Sequence, residues 1–246
     1  MKNKNQALDI TKNYCDSLFS FEESDNFSFR NKKPELLRMI LASYARNISS
    51  EASIQTIIED VKQSNERTLD RKTIDEYLDA LKDLYIIDDL PAWNPAIRSK
   101  TSIRSTPTRH FCDTSIACRV LKIAPKDLIC DLNTFGLFFE DFAVRDLSVY
   151  AQTMGGGSIR QYRDNTGLEC DAVIHLEDGR WGAFEIKLGG EKLIEAGASS
   201  LKRLDAKIRE KSDERAPEFL AALTGTGPLY RRADGVFVIP INCLKA

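Results

Sequence analysis

LECDAVIHLEDGRWGAFEIKL, residues 168–188, reads as two strands joined by a tight turn. Asp178-Gly179 is the turn signal, because glycine supplies the positive φ that a two-residue hairpin needs. Strand side chains alternate between faces. Glu169 and Asp171 therefore share a face of the first strand, and Glu185 and Lys187 share a face of the second. Cys170, Ala172, Ile174, Phe184, Ile186 and Leu188 point the other way, toward a core. Pairing the two polar faces gathers three carboxylates and one ammonium. Like charges so placed repel unless something positive joins them. A divalent cation that prefers oxygen ligands, magnesium above all, is one answer. An exposed cross-strand salt bridge from Lys187 to Glu169 or Asp171 is the other.

The flanking sequence strengthens the first answer and leaves the second open. Phe135 to Met154 has the pattern of an amphipathic helix, with Phe138, Phe139, Phe142, Val144, Leu147 and Tyr150 apolar and Glu140 among them. Gly155-Gly156-Gly157 ends it. Ile159 to Arg163 reads as a short strand ahead of the hairpin. Glu191 to Glu210 is a helix with Leu193, Ile194, Leu201, Leu204 and Ile208 inward. Phe219 to Thr224 and Gly235 to Ile241 are strands of the buried type. The pattern acid-x-Lys is weak alone and occurs four times, at Asp60/Lys62, Asp70/Lys72, Asp205/Lys207 and Glu185/Lys187. The first three fall in helical segments, where residues two apart do not face each other. Only Glu185/Lys187 lies on a strand.

Ahead of this unit the pattern is helical. Ala7 to Phe19 carries Leu8, Tyr14 and Leu18 at helical spacing. Pro34 opens a helix with Leu36, Leu37, Ile40, Leu41, Tyr44 and Ile48. Ser53 caps a short helix with Ile54, Ile57, Ile58 and Val61. Thr68 or Asp70 caps a third with Ile74, Tyr77, Leu78, Leu81 and Leu84. Strand-like residues follow near Arg109-His110-Phe111, and Asp113 to Leu121 is a further helix or turn. Three helices and then two strands is the order of a winged helix. The third helix is acidic, with Asp70, Asp75, Glu76, Asp79 and Asp83, and would repel phosphates. The expected wing has no acid between Asp89 and Asp113, while Arg98, Lys100, Arg104 and Arg109 are basic. It is either a nucleic-acid contact or a solvated Ser/Thr-rich loop. The boundary expected from this reading puts a helical domain at 1–105 and an α/β domain at 106–246.

Composition narrows the classes. The chain has 246 residues, 42% hydrophobic and 29% charged, which is ordinary for a soluble globular protein. A net charge of −2 and a pI near 5.9 mean that any nucleic-acid contact comes from a local patch. No apolar run reaches the roughly 18 residues of a membrane span. The start, MKNKNQALDI, has no signal core, so a cytoplasmic location is expected. The six cysteines form no CxxC pair and there are two histidines, which disfavours zinc and His-dependent catalysis. No GxxxxGK[ST] occurs, so no ATP site is expected.

A helix bearing Glu140, Asp171 on a strand, Glu185-x-Lys187 on the next, then helix and strand, resembles the PD-(D/E)xK phosphodiesterase superfamily, the restriction-endonuclease-like fold, over Phe135 to Ile241. HFCDTSIACRVL (His110 to Leu121), GLFFEDFAVRDL (Gly136 to Leu147), LECDAVI and AFEIK resemble, more narrowly, the C-terminal region of bacterial and archaeal AAA+ ATPases, without their ATPase half. The fold this implies is α/β: a helical winged-helix domain plus a mixed sheet flanked by helices.

The resemblance implies Mg²⁺ or Mn²⁺ held by Asp171 and Glu185, with the Ile186 carbonyl, Glu140 and Glu169 as further ligands. Lys187 would act on the attacking water or the phosphorane charge. Gln161 and Arg163 would touch phosphate. The implied activity is nuclease-like phosphodiester hydrolysis. The alternative is an inactive nuclease-fold module that binds nucleic acid or protein. Implied partners are nucleic acid and an AAA+ ATPase module, with no membrane; a homodimer would supply the two sites needed to cut a duplex.

Overall fold

The computed structural model describes residues 4–19, 32–64, 70–94, 106–153, 157–210 and 216–244. The chain is mixed α/β, with eight α-helices and a six-stranded sheet among those residues. It divides into two compact units, Met1–Asp89 with Arg109–Asp131, and Leu90–Thr108 with Leu132–Ala246. This is not a single cut at 105. Residues 90–93 join the sheet, while Arg109 onward belongs to the helical unit.

The first unit holds α1 (Lys4–Leu18), α2 (Pro34–Arg46), α3 (Ile54–Ser64), α4 (Arg71–Asp83), α5 (Thr114–Val120) and α6 (Pro125–Cys130). Its caps follow the sequence. Ser53 Oγ accepts from Thr56 N, Asp70 from Thr73 N and Asp113 from Ser115 N. Ile40, Leu41, Tyr44, Ile57, Ile74, Leu81, Ile87 and Phe111 are buried at its core. On α1 the inward residues are Cys15 and Leu18, whereas Leu8 and Tyr14 are exposed. An antiparallel bridge joins Ile87 to Phe111.

Asp89 is the electrostatic centre of this unit. It receives Tyr44 Oη at 2.6 Å, Arg109 Nη1 at 2.8 Å and Lys82 Nζ at 2.7 Å. Burial pushes its carboxyl up, but donation from Lys82, Tyr44 and Arg109 outweighs this and leaves it below the usual aspartate value. Arg109 is almost wholly buried, and its Nε also donates to Ala52 O at 2.9 Å. Arg109, expected at a nucleic-acid contact, thus directs its charge at Asp89.

The second unit is a sheet covered on both faces. Its strands are β1 (Ser158–Arg163), β2 (Glu169–His175), β3 (Trp181–Lys187), β4 (Phe219–Thr224), β5 (Tyr230–Arg231) and β6 (Phe237–Pro240). The order is β1-β2-β3-β4-β6-β5. β1, β2 and β3 pair antiparallel, β3, β4 and β6 parallel, and β5 antiparallel to β6. The helix α7 (Leu132–Thr153) packs Phe139, Ala143, Val144 and Leu147 with Ala172, Ile174, Phe184 and Ile186. The helix α8 (Glu191–Arg209) packs Ala198, Leu201, Leu204 and Ile208 with Cys170, Val173, Trp181 and Ala183. Both faces are thus apolar, the condition that parallel strands require. Phe142 and Leu193, expected inward, are exposed. Ala92 pairs beside Gln161, and Trp93 N donates to Gln161 O, so residues 90–93 line the outer edge of β1.

The hairpin differs from its expected form in two ways. Its loop has three residues between Leu176 and Arg180, with Gly179 at φ 89°, and is closed by Leu176 N to Arg180 O at 2.8 Å. The second difference is a register shift between β1 and β2: Arg160 faces Val173, but Tyr162 faces Cys170. Two residues of β2, Asp171 and Ala172, thus oppose Gln161 alone, a β-bulge. Strict alternation fails there, and Cys170 and Ala172 pack on opposite faces of the sheet.

Asp89→Ala strands the buried Arg109 charge. It should lower the unfolding free energy by about 3–5 kcal/mol, read as a fall in the urea midpoint. Asp75→Ala, which removes a surface pair with Arg71, should change it by less than about 1 kcal/mol.

Candidate functional site

The acidic residues meet Lys187 where β2 peels away from β3. Paired positions on these strands run from His175/Trp181 to Ala172/Phe184. Beyond that point Ile186 N donates not to a β2 carbonyl but to Asp171 Oδ2, at 2.7 Å. The bulge delivers that carboxylate to the gap. Lys187 Nζ then lies 3.0 Å from Asp171 Oδ2 and 2.7 Å from Glu185 Oε2. Glu185 and Lys187 lie on the α8 face, so this pair is covered by a helix and not displayed on an open polar face. The Glu185 side chain is only 6% exposed, against 17% for Asp171 and 24% for Lys187.

Burial and crowding set the protonation of the cluster. Burial pushes the Glu185 carboxyl up to about 7; Asp171 adds to this and Lys187 opposes it. On α7, half-buried Glu140 is pushed well above the usual glutamate value, first by burial, then by the Asp171 charge, against the pull of Lys187. Burial alone would pull Lys187 down, but Asp171 and Glu185 hold it well above the usual lysine value. Lys187 is therefore a firmly protonated ammonium at neutral pH.

The structure thus brings together Asp171, Glu185, Lys187 and the Ile186 N–H, with Glu140 within electrostatic reach. It does not bring Glu169 to them. That side chain is exposed and pairs across strands with Arg163 Nη1 at 3.2 Å. Arg163 is engaged in that exposed pair. Gln161, expected to touch phosphate, is buried at the sheet edge. Arg98, Lys100 and Arg104 lie outside the described residues. Among the described residues no group of three or more His, Cys, Asp or Glu side chains is arranged to hold a metal ion as it stands. The space between Asp171 and Glu185 is bridged by an ammonium instead.

Sequence reading missed Gly197. A Cβ placed there would lie 3.1 Å from Glu185 Cβ and 3.7 Å from Lys187 Cε. This glycine lets α8 lie down on the site. The available signal was a lone glycine inside an amphipathic helix, which marks close packing.

A family model described as a domain of unknown function, DUF8612, matches residues 2–127, just over half of the chain. The chain belongs to this family. A second model, also described as a domain of unknown function, DUF4143, matches residues 135–244 and so spans most of α7, the sheet and α8. No curated protein matches the chain. The DUF8612 span runs through α5 and into α6, and the gap before the DUF4143 span brackets Asp131, where the first compact unit ends. Among the described residues no helix is long and apolar enough to cross a membrane.

The raised Glu185 value fixes the sign of a pH effect. The folded state holds this proton more tightly than the unfolded chain, whose glutamate value is 4.5. The contribution to stability is therefore complete below pH 4.5 and is lost as pH rises through about 7. Wild type should lose stability relative to Glu185→Gln across that window, by at most about 1.4 kcal/mol per pH unit. Thermal melts from pH 4.5 to 8 read it. A pH-independent difference between the two proteins contradicts this assignment.

Proposed function

We propose that the sheet unit is a divalent-cation-dependent, nuclease-like phosphodiester-hydrolysing domain related to the PD-(D/E)xK superfamily. The observation that carries this reading is Lys187 Nζ bridging the Asp171 and Glu185 carboxylates at the mouth of a helix-covered sheet. A purely structural salt bridge needs one carboxylate; here two acids converge on one lysine, and the surroundings of a third, Glu140, disfavour its ionised form. The donor set is hard oxygen, the chemistry Mg²⁺ and Mn²⁺ prefer, and a cation would offset the repulsion among the acids. Asp171, Glu185 and Glu140 are the residues that would hold it. Bound there, it would supply Lewis acidity toward a phosphate oxygen and a lowered pKa for water.

The chain's own residues do the rest. Ile186 N–H fixes the Asp171 carboxylate. In the cation-free arrangement Asp171 and Glu185 hold Lys187 as a protonated ammonium; as an ammonium it would serve as a charged hydrogen-bond donor to a phosphate oxygen and stabilise the charge that develops there, in preference to acting as a base. In the same proposal the first unit is a winged-helix-like docking element, and the whole works beside an AAA+ ATPase module.

One observation favours a second reading, a nuclease-fold module that binds without cutting. Of the residues expected to touch nucleic acid, Arg109 and Gln161 are buried and Arg163 is paired with Glu169.

Calorimetric titration of Mg²⁺ and Mn²⁺ into wild type and Asp171→Ala/Glu185→Ala separates the two. Catalysis predicts that wild type binds cation and the double variant does not, and that Mn²⁺-dependent cleavage of single- or double-stranded DNA or RNA is lost in the variant. Oligonucleotide binding that ignores both cation and the double substitution supports the module.

A further inference from the structure

Thr224 ends β4 and is fully buried. Its Oγ1 has no hydrogen-bond partner among the described residues. Buried hydroxyls are nearly always paired, so this one calls for an explanation. Its place supplies one. β3 and β4 run parallel and in register, with Glu185 beside Ala222 and Lys187 beside Thr224. Ala221 and Leu223 belong to the core under α7, and Leu220 to the core under α8. Alternation therefore puts Thr224 on the α8 face. Lys187 runs along that same face, because its Cε is the atom that a Cβ on Gly197 would approach to 3.7 Å. The unpaired hydroxyl and the lysine are side-by-side neighbours. In this structure the ammonium is given to Asp171 and Glu185, and the hydroxyl waits.

We propose that Thr224 is a positioning residue of the acidic site: its hydroxyl is the second seat of the Lys187 ammonium. The inference rests on the reading of Asp171 and Glu185 as cation ligands. A divalent cation held by those two carboxylates would compete with Lys187 for both of its partners and would repel the ammonium. A buried ammonium needs an acceptor, and the adjacent strand offers one that nothing else occupies. The hydroxyl carries an unfavourable burial in the resting arrangement and is satisfied in the cation-loaded one. Thr224 thereby links the position of Lys187 to the occupancy of the acids.

Thr224→Val keeps the shape and removes the hydroxyl; Thr224→Ser keeps the hydroxyl. Both are compared with wild type in full-length chain by Mn²⁺ calorimetry and by thermal melts without metal. Removing an unpaired buried hydroxyl is neutral or stabilising, so the valine variant should melt at or above the wild-type temperature. It should nonetheless bind Mn²⁺ roughly tenfold more weakly, the scale of one lost hydrogen bond to a charged group. The serine variant should bind like wild type. Equal Mn²⁺ affinity in wild type and the valine variant overturns the proposal while leaving the cation site standing. Weak binding with a lowered melting temperature that serine does not restore assigns Thr224 to packing and also overturns it. Failure of wild type itself to bind Mn²⁺ removes the cation reading, and this inference with it.

Discussion

One carboxylate, that of Asp171, stands where a strand ladder would otherwise continue. Its Oδ2 accepts the Ile186 N–H and the Lys187 ammonium together. A backbone N–H at that depth must be satisfied by something, and a side chain has replaced the neighbouring strand. Everything peculiar to the sheet unit follows from this substitution. The β2–β3 pairing ends at Ala172/Phe184, and just beyond it Asp171, Glu185 and Lys187 gather although the sheet is covered on both faces. The bulge is the device that makes it possible, because one extra residue brings Asp171 into the gap while Ala172 and Ile174 keep their places under α7.

The helical unit solves a similar problem by the opposite means. Asp89 is also a buried carboxylate, yet three donors reach it and its charge is comfortable. The Asp171 cluster has more acid than base, and the Glu185 and Glu140 carboxyls beside it are pushed toward protonation. The contrast separates a carboxylate that holds the fold together from carboxylates kept under electrostatic tension. Perturbed values in a cluster are a better pointer to chemistry than charge alone.

Much of this was legible beforehand for local reasons. Helix caps at Ser53, Asp70 and Asp113, the Asp-Gly turn and the apolar stripes of α2, α4 and α8 are written in neighbouring residues. What was not legible depends on partners far away in sequence. The bulge is a property of the β1–β2 register, and without it Glu169 looked equivalent to Asp171. Arg109 looked like part of a basic loop because the acid-free interval was counted from just after Asp89, the residue that neutralises it. The short helix α6 buries no side chain, and β5 is two exposed residues long; neither leaves a hydrophobic period to read. Gly197 and Thr224 matter through strands they meet only after folding.

The pairing of residues 90–93 along β1 has a consequence for how this chain tolerates being cut. A fragment that starts at Leu132 looks like a natural sheet domain, since it contains every strand of the sheet. It would nevertheless lack the segment whose backbone saturates Gln161 on the outer side. Its first strand would then be a naked edge with free N–H and C=O groups, and such edges recruit other chains. In this sense residues 90–93 shield the β1 edge, and they stand in the chain between the two parts of the helical unit although they serve the sheet.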